Sequence, residues 1–205
     1  MRMQFGQAAV AGLLALASFA ADAQECLTAD QVKAGVRVEY ENGGRVVLRQ
    51  LDNGLIELRE VGTAEGGGDL RFLSRYGVYD VEASLAADGE AASDHRVIYD
   101  YGPEPLLKPV SGGAGWAGPV TANFPDGDRE TQTAAYMFGA GETLKLGECS
   151  YQGISVEATF LRETGWEGQR YLFFPDLDFA VLVGRSGPDQ DKADFTIAAL
   201  LPEAD

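Results

Sequence analysis

The sequence predicts an all-β domain: an antiparallel meander that forms a strongly curved sheet or incomplete barrel of about eleven strands. Two observations predict this class. Apolar and polar residues alternate with a period of two along most of the chain, and turn signals recur between the alternating segments. A third observation excludes a mixed fold, because one short N-terminal helical turn is the only helix that the pattern predicts.

The first 23 residues predict a cleaved export signal. An apolar run from Val10 to Ala20 follows a basic residue, and the small residues of Ala21-Asp22-Ala23 are typical of a cleavage site. The run is shorter than the roughly 20 apolar residues that span a bilayer. We therefore expect a periplasmic or secreted protein with no membrane span after cleavage, and a single domain over residues 24–205.

Cys26 and Cys149 are the only cysteines. In an oxidising compartment they are expected to pair as a disulfide, which ties the mature N-terminus to a strand in the second half of the chain. The alternative is a catalytic or metal-binding thiol, but the sequence contains no Cys-x-x-Cys motif.

The first half of the chain begins with the predicted helical turn, from Thr28 to Ala34. Thr28 is its predicted N-cap, and Gln31 follows three residues later, as in a capping box. Tight hairpin turns are predicted at Asn42-Gly43-Gly44 and Asp52-Asn53-Gly54, where Asn-Gly pairs accept positive φ. Strands are predicted around these turns and beyond them, at 36–41, 45–51, 55–61, 70–75, 77–85 and 96–101.

Alternation assigns side chains to the two faces of these strands. In the first strand, Val36, Val38 and Tyr40 share one face. In the strand at 77–85, one face carries apolar side chains from Tyr79 to Leu85, and the other carries Asp80, Glu82 and Ser84. We expect the apolar faces to form the core.

The second half continues the β pattern after one interruption. Residues 102–129 contain five prolines and six glycines, so we predict a long Pro/Gly-rich loop there, either an ordered lid over the sheet or a linker. Further strands are predicted at 131–138, 142–146, 151–161, 169–174, 179–184 and 195–201.

Composition excludes several classes of function. The formal net charge is −16, so nucleic acid and anionic lipid surfaces are repelled and are not expected as partners. His95 is the only histidine, and no Gly-x-Ser-x-Gly elbow accompanies it. The glycine-rich run from Gly112 to Trp116 lacks the Lys-Ser/Thr pair of a phosphate-binding loop.

Two acidic clusters do not reproduce a calcium loop with its terminal glutamate. They consist of Asp126, Asp128 and Glu130, and of Asp189, Asp191 and Asp194. We interpret both as solvated loop charge. The sequence therefore predicts no cofactor, no metal site and no identifiable catalytic residue.

The aromatic residues suggest a binding site. The chain after residue 23 has 18 of them, spread over nearly every predicted strand. Core packing explains them, but a curved sheet covered by the 102–129 loop could also enclose an apolar groove. Trp116 and Phe124 are the candidate ligand-binding residues in that loop, and their alternative role is to anchor the loop to the sheet.

The last third of the chain resembles uncharacterised bacterial periplasmic β-domains. The similarity covers Gly147-Glu148-Cys149-Ser150-Tyr151, the strand Ile154 to Leu161, and the segments starting at Tyr171 and Phe179. Those domains are similar in architecture to the half-barrels of lipoprotein carriers. The resemblance implies a curved antiparallel sheet with one apolar concave face, and it assigns no functional residue.

Together these observations predict an exported, non-enzymatic binding or accessory module of the cell envelope. Its expected partner is a lipid-like or peptide ligand, or another envelope protein. Two alternatives remain open: a hydrolase that uses two buried carboxyl groups in the same concavity, and a purely structural or protein-interaction module with a filled sheet interior.

Overall fold

One antiparallel sheet contains almost all of the regular structure. The computed structural model describes residues 26–63, 68–87, 90–91, 95–103, 107, 109–188 and 190–203, so the predicted export signal lies outside the described residues. Its helix is α1 (Ala29–Ala34). Its strands are β1 (Val36–Tyr40), β2 (Arg45–Gln50), β3 (Ile56–Glu60), β4 (Asp69–Arg75), β5 (Tyr79–Ala87), β6 (Glu90–Ala91), β7 (Val97–Asp100), β8 (Gly115–Asn123), β9 (Arg129–Leu146), β10 (Cys149–Arg162), β11 (Gly165–Phe174), β12 (Phe179–Gly187), β13 (Gln190–Asp194) and β14 (Ile197–Pro202).

The N-terminal helical turn is confirmed with its predicted cap. The Thr28 N–H donates to Gln31 Oε1 at 2.8 Å, and Val32 is buried. The predicted disulfide is also confirmed, because Cys26 and Cys149 are bonded with their Cα atoms 5.4 Å apart. Within the described ranges, no helix is long and apolar enough to cross a membrane.

The order of the strands confirms a curved antiparallel meander. The order is β13-β12-β11-β10-β9-β8-β7-β5-β4-β3-β2-β1-β14, with the two-residue β6 paired to β5 off this path. β13 and β14 therefore lie at opposite ends of the order, although only Phe195 and Thr196 separate them in the chain. The Phe195 N–H donates to the Val183 carbonyl of β12, and Thr196 O accepts from the Glu41 N–H beyond β1, both at 3.0 Å. The sheet consequently bends until its two ends meet at this link.

Three of these strands were not predicted, and two segments that were predicted as separate strands form a single strand. The segments 131–138 and 142–146 belong to the 18-residue β9. The expectation that residues 102–129 lack a regular strand is wrong, because β8 pairs with β9 from Gly115 opposite Met137 to Asn123 opposite Arg129. β6 and β13 are the other two strands that were not predicted.

Glycine and proline suit β8 for local reasons. A Cβ atom at Gly115 would lie 2.6 Å from the Tyr136 carbonyl oxygen, so a side chain is excluded there. Pro119 is tolerated because β7 pairs with β8 only over Thr121, Ala122 and Asn123, which leaves the rest of that edge free of ladder bonds to β7.

The core lies between strands from the two halves of the chain. Near the disulfide, β1 and β2 side chains pack against β10 to β12, and the largest fully buried members are Leu48, Phe174 and Phe179. The Tyr40 hydroxyl donates to the Leu182 carbonyl at 2.9 Å and so links β1 to β12 across this core. The predicted inward face of β1 is confirmed, because Val36 and Val38 are fully buried in the same cluster.

A second part of the core is an aromatic cluster formed by Tyr79, Tyr101, Trp116 and Tyr136. Tyr79 contacts the other three rings, with centroids 4.6 to 6.3 Å apart. The hydroxyls of Tyr101 and Tyr136 are hydrogen bonded at 3.2 Å. Burial raises the pKa of each of the three tyrosines above its ordinary value, since the interior solvates a phenolate poorly.

On the outer face, alternating charges cross neighbouring strands. The Nε atoms of Arg49 and Arg71 each lie 2.6 Å from a carboxylate oxygen of Glu57. Arg71 Nη1 and Arg96 Nη2 lie 2.9 and 2.6 Å from the carboxylate oxygens of Glu82. Burial acts to raise the pKa of Glu57, but hydrogen bonds from Arg71 and Arg49 outweigh it and lower the pKa. These contacts identify the face that carries Glu57, Arg71 and Glu82 as the outer one.

The turn between β4 and β5 is seated directly on β12. Tyr76 and Gly77 both have positive φ, at 58° and 67°. A Cβ atom at Gly77 would lie 2.6 Å from the backbone nitrogen of Ala180 and 2.7 Å from its oxygen. Only glycine permits this approach, because both neighbouring atoms belong to the backbone and cannot rotate away.

We expect Gly77→Ala to lower the free energy of unfolding by about 3 kcal/mol or more, since it adds a steric clash to the cost of positive φ. Gly54→Ala is the matched control: φ is 78° there, and no atom lies within 4 Å of the added Cβ. It should cost about 1 kcal/mol. Urea unfolding of both variants measures the difference, and equal losses would contradict the proposed contact.

We expect replacement of both cysteines by serine to destabilise the fold substantially. The disulfide closes a loop with a sequence separation of 123, for which loop entropy gives up to about 5 kcal/mol. Urea unfolding of the oxidised protein, the reduced protein and the double variant tests this. The reduced protein should match the variant, and a loss below about 1 kcal/mol would show that the bond adds little to the packing around α1.

Candidate functional site

A cleft that is partly open to solvent runs between β3–β5 and β10–β12, and its ends reach the β1–β2 and β10–β11 turns. It consists of four adjoining cavities of about 300, 50, 60 and 170 Å³. Consecutive cavities share lining residues: first Glu60, Leu182 and Arg185, then Asp80 and Gln169, and finally Arg162 and Glu167. The concave face is therefore open along one line rather than filled throughout.

The largest cavity is mainly apolar and lies where the two ends of the sheet meet. Its apolar wall consists of Tyr40, Val46, Leu70, Leu182 and Phe195, and its polar rim consists of Asn42, Arg45, Glu60, Thr63 and Arg185. The rings of Tyr40 and Phe195 meet edge to face at 6.1 Å. Its volume is about twice that of a cavity that binds benzene. An apolar body with a polar group at one end therefore fits this space.

A β-bulge in β5 turns Asp80 into the cleft. Asp80 lies opposite Ser74, but the next pair joins Glu82 to Leu73, which leaves Val81 as the extra residue. Because of this insertion, Asp80 shares the inner face with Ser74, whereas Glu82 lies on the outer face. The expectation that Asp80 shares a face with Glu82 and Ser84 is wrong, since simple alternation does not contain the bulge.

Asp80 lines both of the small central cavities. No described residue donates a hydrogen bond to its carboxyl group. Protein surrounds this group, and the part of the side chain that is not buried faces the two cavities. Burial, together with the nearby charge of Glu60, raises the pKa of Asp80 to about 7 against the opposing effect of Arg185. A carboxyl group with this pKa changes its charge near neutral pH.

Arg185 and Glu60 join the apolar cavity to Asp80. Arg185 Nη2 lies 3.1 Å from Glu60 Oε1, and the Glu60 side chain is largely buried. The Nε atom of Arg185 is buried, and no described residue accepts a hydrogen bond from it. Arg185 and Asp80, which carry an unused donor and an unused acceptor, therefore both line the cavity of about 50 Å³.

The structure does not bring the predicted ligand residues to this cleft. Trp116 lies in β8 and is half-buried against Tyr79, Tyr101 and Tyr136. Phe124 lies in the β8–β9 turn, where its backbone N–H donates to the Asp128 carbonyl at 2.9 Å. Neither side chain lines any of the four cavities. Ligand contact at these two residues stays a prediction.

The other candidate residues are scattered. His95 is exposed just before β7. Asp126 Oδ1 accepts from the Asp128 N–H at 3.0 Å within a turn. Asp189 lies outside the described residues, and Asp194 forms ion pairs with Arg170 and Lys192. Among the described residues, no three His, Cys, Asp or Glu side chains converge as a metal site.

The hydrolase alternative requires two buried acids with raised pKa values in one cleft. Among the described carboxyl groups, the pKa is raised at Asp80 and, by partial burial, at Asp178. Asp178 is exposed in the β11–β12 turn and lines none of the four cavities, so these two acids do not form a pair. The other cleft acids, Glu60 and Glu167, have ion pairs with Arg185 and Arg162.

Comparison with known proteins gives one distant likeness of fold. No protein-family model matches the chain, and no curated protein matches it. Among solved structures, the crystal structure of the hypothetical lipoprotein YmcC from Escherichia coli (K12) is similar, with 11% sequence identity and a TM-score of 0.41. The similarity covers 84% of this chain and 89% of that chain, so it is not specific to the C-terminal third, where the sequence predicted it.

We expect stability to depend on pH through Asp80. The folded-state pKa of about 7 exceeds the ordinary value of 3.8, so between these values the folded protein holds a proton that the unfolded chain has lost. This contribution to stability is full below about pH 4, and it is lost as the pH rises through about 7. Asp80→Asn should therefore be more stable than the wild type at pH 8, and the advantage should shrink towards pH 4.

Thermal unfolding between pH 4 and pH 8 measures this difference. Asp52→Asn is the matched control, because Asp52 is exposed in the β2–β3 turn and the substitution removes the same formal charge. If both variants differ from the wild type by the same pH-dependent amount, net charge rather than the burial of Asp80 is the cause.

Proposed function

We propose that the protein is an exported, non-enzymatic binding module of the cell envelope, and that it holds a small apolar ligand in this cleft. The observation that supports this most is the apolar cavity of about 300 Å³. Five apolar or aromatic side chains wall it, and the charged side chains that also line it are Arg45, Glu60 and Arg185. That is the common form of a site for a small apolar ligand.

The cavity favours an apolar ligand on energetic grounds. Burial stabilises a complex by about 25 cal/mol for each Å² of apolar surface removed from water. The site is formed largely by strand residues on both sides of the cleft, so little ordering is required when a ligand enters. A naphthyl group or an alkyl chain of about eight carbons is comparable with this volume.

The envelope location is supported by the predicted export signal and by the disulfide between Cys26 and Cys149. Disulfides persist mainly in oxidising compartments such as the bacterial periplasm. The net charge of −16 keeps such a module soluble and away from anionic membrane surfaces. We place it free of the membrane, with the ligand held where the two ends of the sheet meet.

We expect N-phenyl-1-naphthylamine to bind the oxidised protein, with a rise and a blue shift of its fluorescence as it leaves water. Leu70→Trp should reduce its affinity at least tenfold, because Leu70 lines the apolar cavity and the larger ring fills it. A fluorescence titration measures both affinities, and equilibrium unfolding confirms that the variant is folded.

The matched control is Leu73→Trp on the same strand. Leu73 faces the outer side of β4 and lines none of the cavities, so probe affinity should be unchanged there. If the wild type gives a flat titration, the proposed function is wrong. If both tryptophan variants weaken binding equally, the probe binds elsewhere.

A further inference from the structure

We infer that Asp80 and Arg185 form a subsite for the polar head of the ligand, and that this head is uncharged with one hydrogen-bond acceptor and one donor, as in a primary carboxamide. This inference rests on the proposed function, because it names the class of ligand for the same cleft. Its geometric basis is that Arg185 and Leu182 line both the apolar cavity and the cavity of about 50 Å³ beside it, which Asp80 also lines.

Two polar groups in this small cavity lack partners within the described part of the chain. The buried Nε–H of Arg185 donates to none of these residues, although Nη2 of the same side chain is paired with Glu60. The Asp80 carboxyl group likewise has no donor among them. Unused polar groups of this kind carry a free-energy cost, which a ligand group can remove by bonding to both.

Charge and hydrogen-bonding capacity together select against ionised heads. Glu60 and Arg185 neutralise each other, so a carboxylate head would face the carboxyl groups of Asp80 and Glu60 with Arg185 already paired. An ammonium head could pair with Asp80, but it has no acceptor for the unused Nε–H of Arg185. A carboxamide avoids both conflicts: its carbonyl oxygen accepts from Arg185 Nε, and its N–H donates to Asp80.

The volumes fit this division of the ligand. A cavity of about 50 Å³ holds a head of a few atoms, since a water molecule occupies about 30 Å³ in the liquid. The adjoining cavity of about 300 Å³ takes the alkyl chain. The raised pKa of Asp80 agrees with a carboxyl group that water solvates poorly, which a bound donor would relieve.

The test uses four ligands that share an alkyl chain: octanamide, octan-1-ol, octanoate and octylammonium. Each ligand competes with N-phenyl-1-naphthylamine for the oxidised full-length protein at pH 8. Each ligand is used below the concentration at which it aggregates. We expect octanamide to bind at least tenfold more tightly than octanoate and octylammonium, and octanol to lie between them.

Two variants assign the preference to the subsite. Asp80→Ala removes the acceptor, and Arg185→Lys removes Nε while keeping the positive charge near Glu60. Each should reduce the advantage of octanamide over octanoate to threefold or less, and equilibrium unfolding confirms that each variant is folded. Arg170→Lys is the control, since Arg170 pairs with Asp194 and lines none of the cavities, and all five affinities should persist.

The outcomes separate the two proposals. Equal affinity for all four heads, or tightest binding of an ionised head, would overturn the head-group subsite while probe binding still supports the apolar cavity. A preference for octanamide that survives both variants would place its head elsewhere and also overturn the subsite. If neither the probe nor any of the four ligands binds, both proposals are wrong.

Discussion

The link formed by Phe195 and Thr196 is the constraint on which the rest of the structure depends. It joins the last two strands, which lie at opposite ends of the sheet order, and its backbone bonds to both ends. Because two residues span only a few Å, the sheet has to curve until β12 and β1 are close. The facing core and the cleft follow from that curvature. The contact of Gly77 with Ala180 and the disulfide hold the same arrangement at other points.

Local signals allowed much of the fold to be predicted from the sequence. Alternation in β1, the Asn-Gly turns and the cap of α1 each act within a few residues, so the chain shows them directly. The disulfide followed from the presence of two cysteines and an export signal, without any knowledge of their distance. The curved all-β sheet is the sum of these local features.

The cleft depends on pairing between distant residues, which no local pattern contains. The bulge at Val81 exists only relative to β4, and it decides on which face Asp80 lies. Arg185 becomes a candidate binding residue only because β12 approaches Glu60 of β3. In the sequence, Trp116 stands out as an aromatic residue between glycines. Small neighbouring residues, however, also suit a strand that packs closely in the aromatic cluster.

The aromatic cluster also fixes how this fold responds to alkali. Burial raises the pKa of Tyr79, Tyr101 and Tyr136, whereas the same phenols in an unfolded chain ionise near their ordinary value of about 10. Above that pH, ionisation stabilises the unfolded chain alone, so the protein loses stability as the solution becomes more alkaline. Ionisation of these three phenols in alkali therefore accompanies exposure of the aromatic cluster to water, so tyrosinate absorbance is an optical marker for the opening of this part of the core.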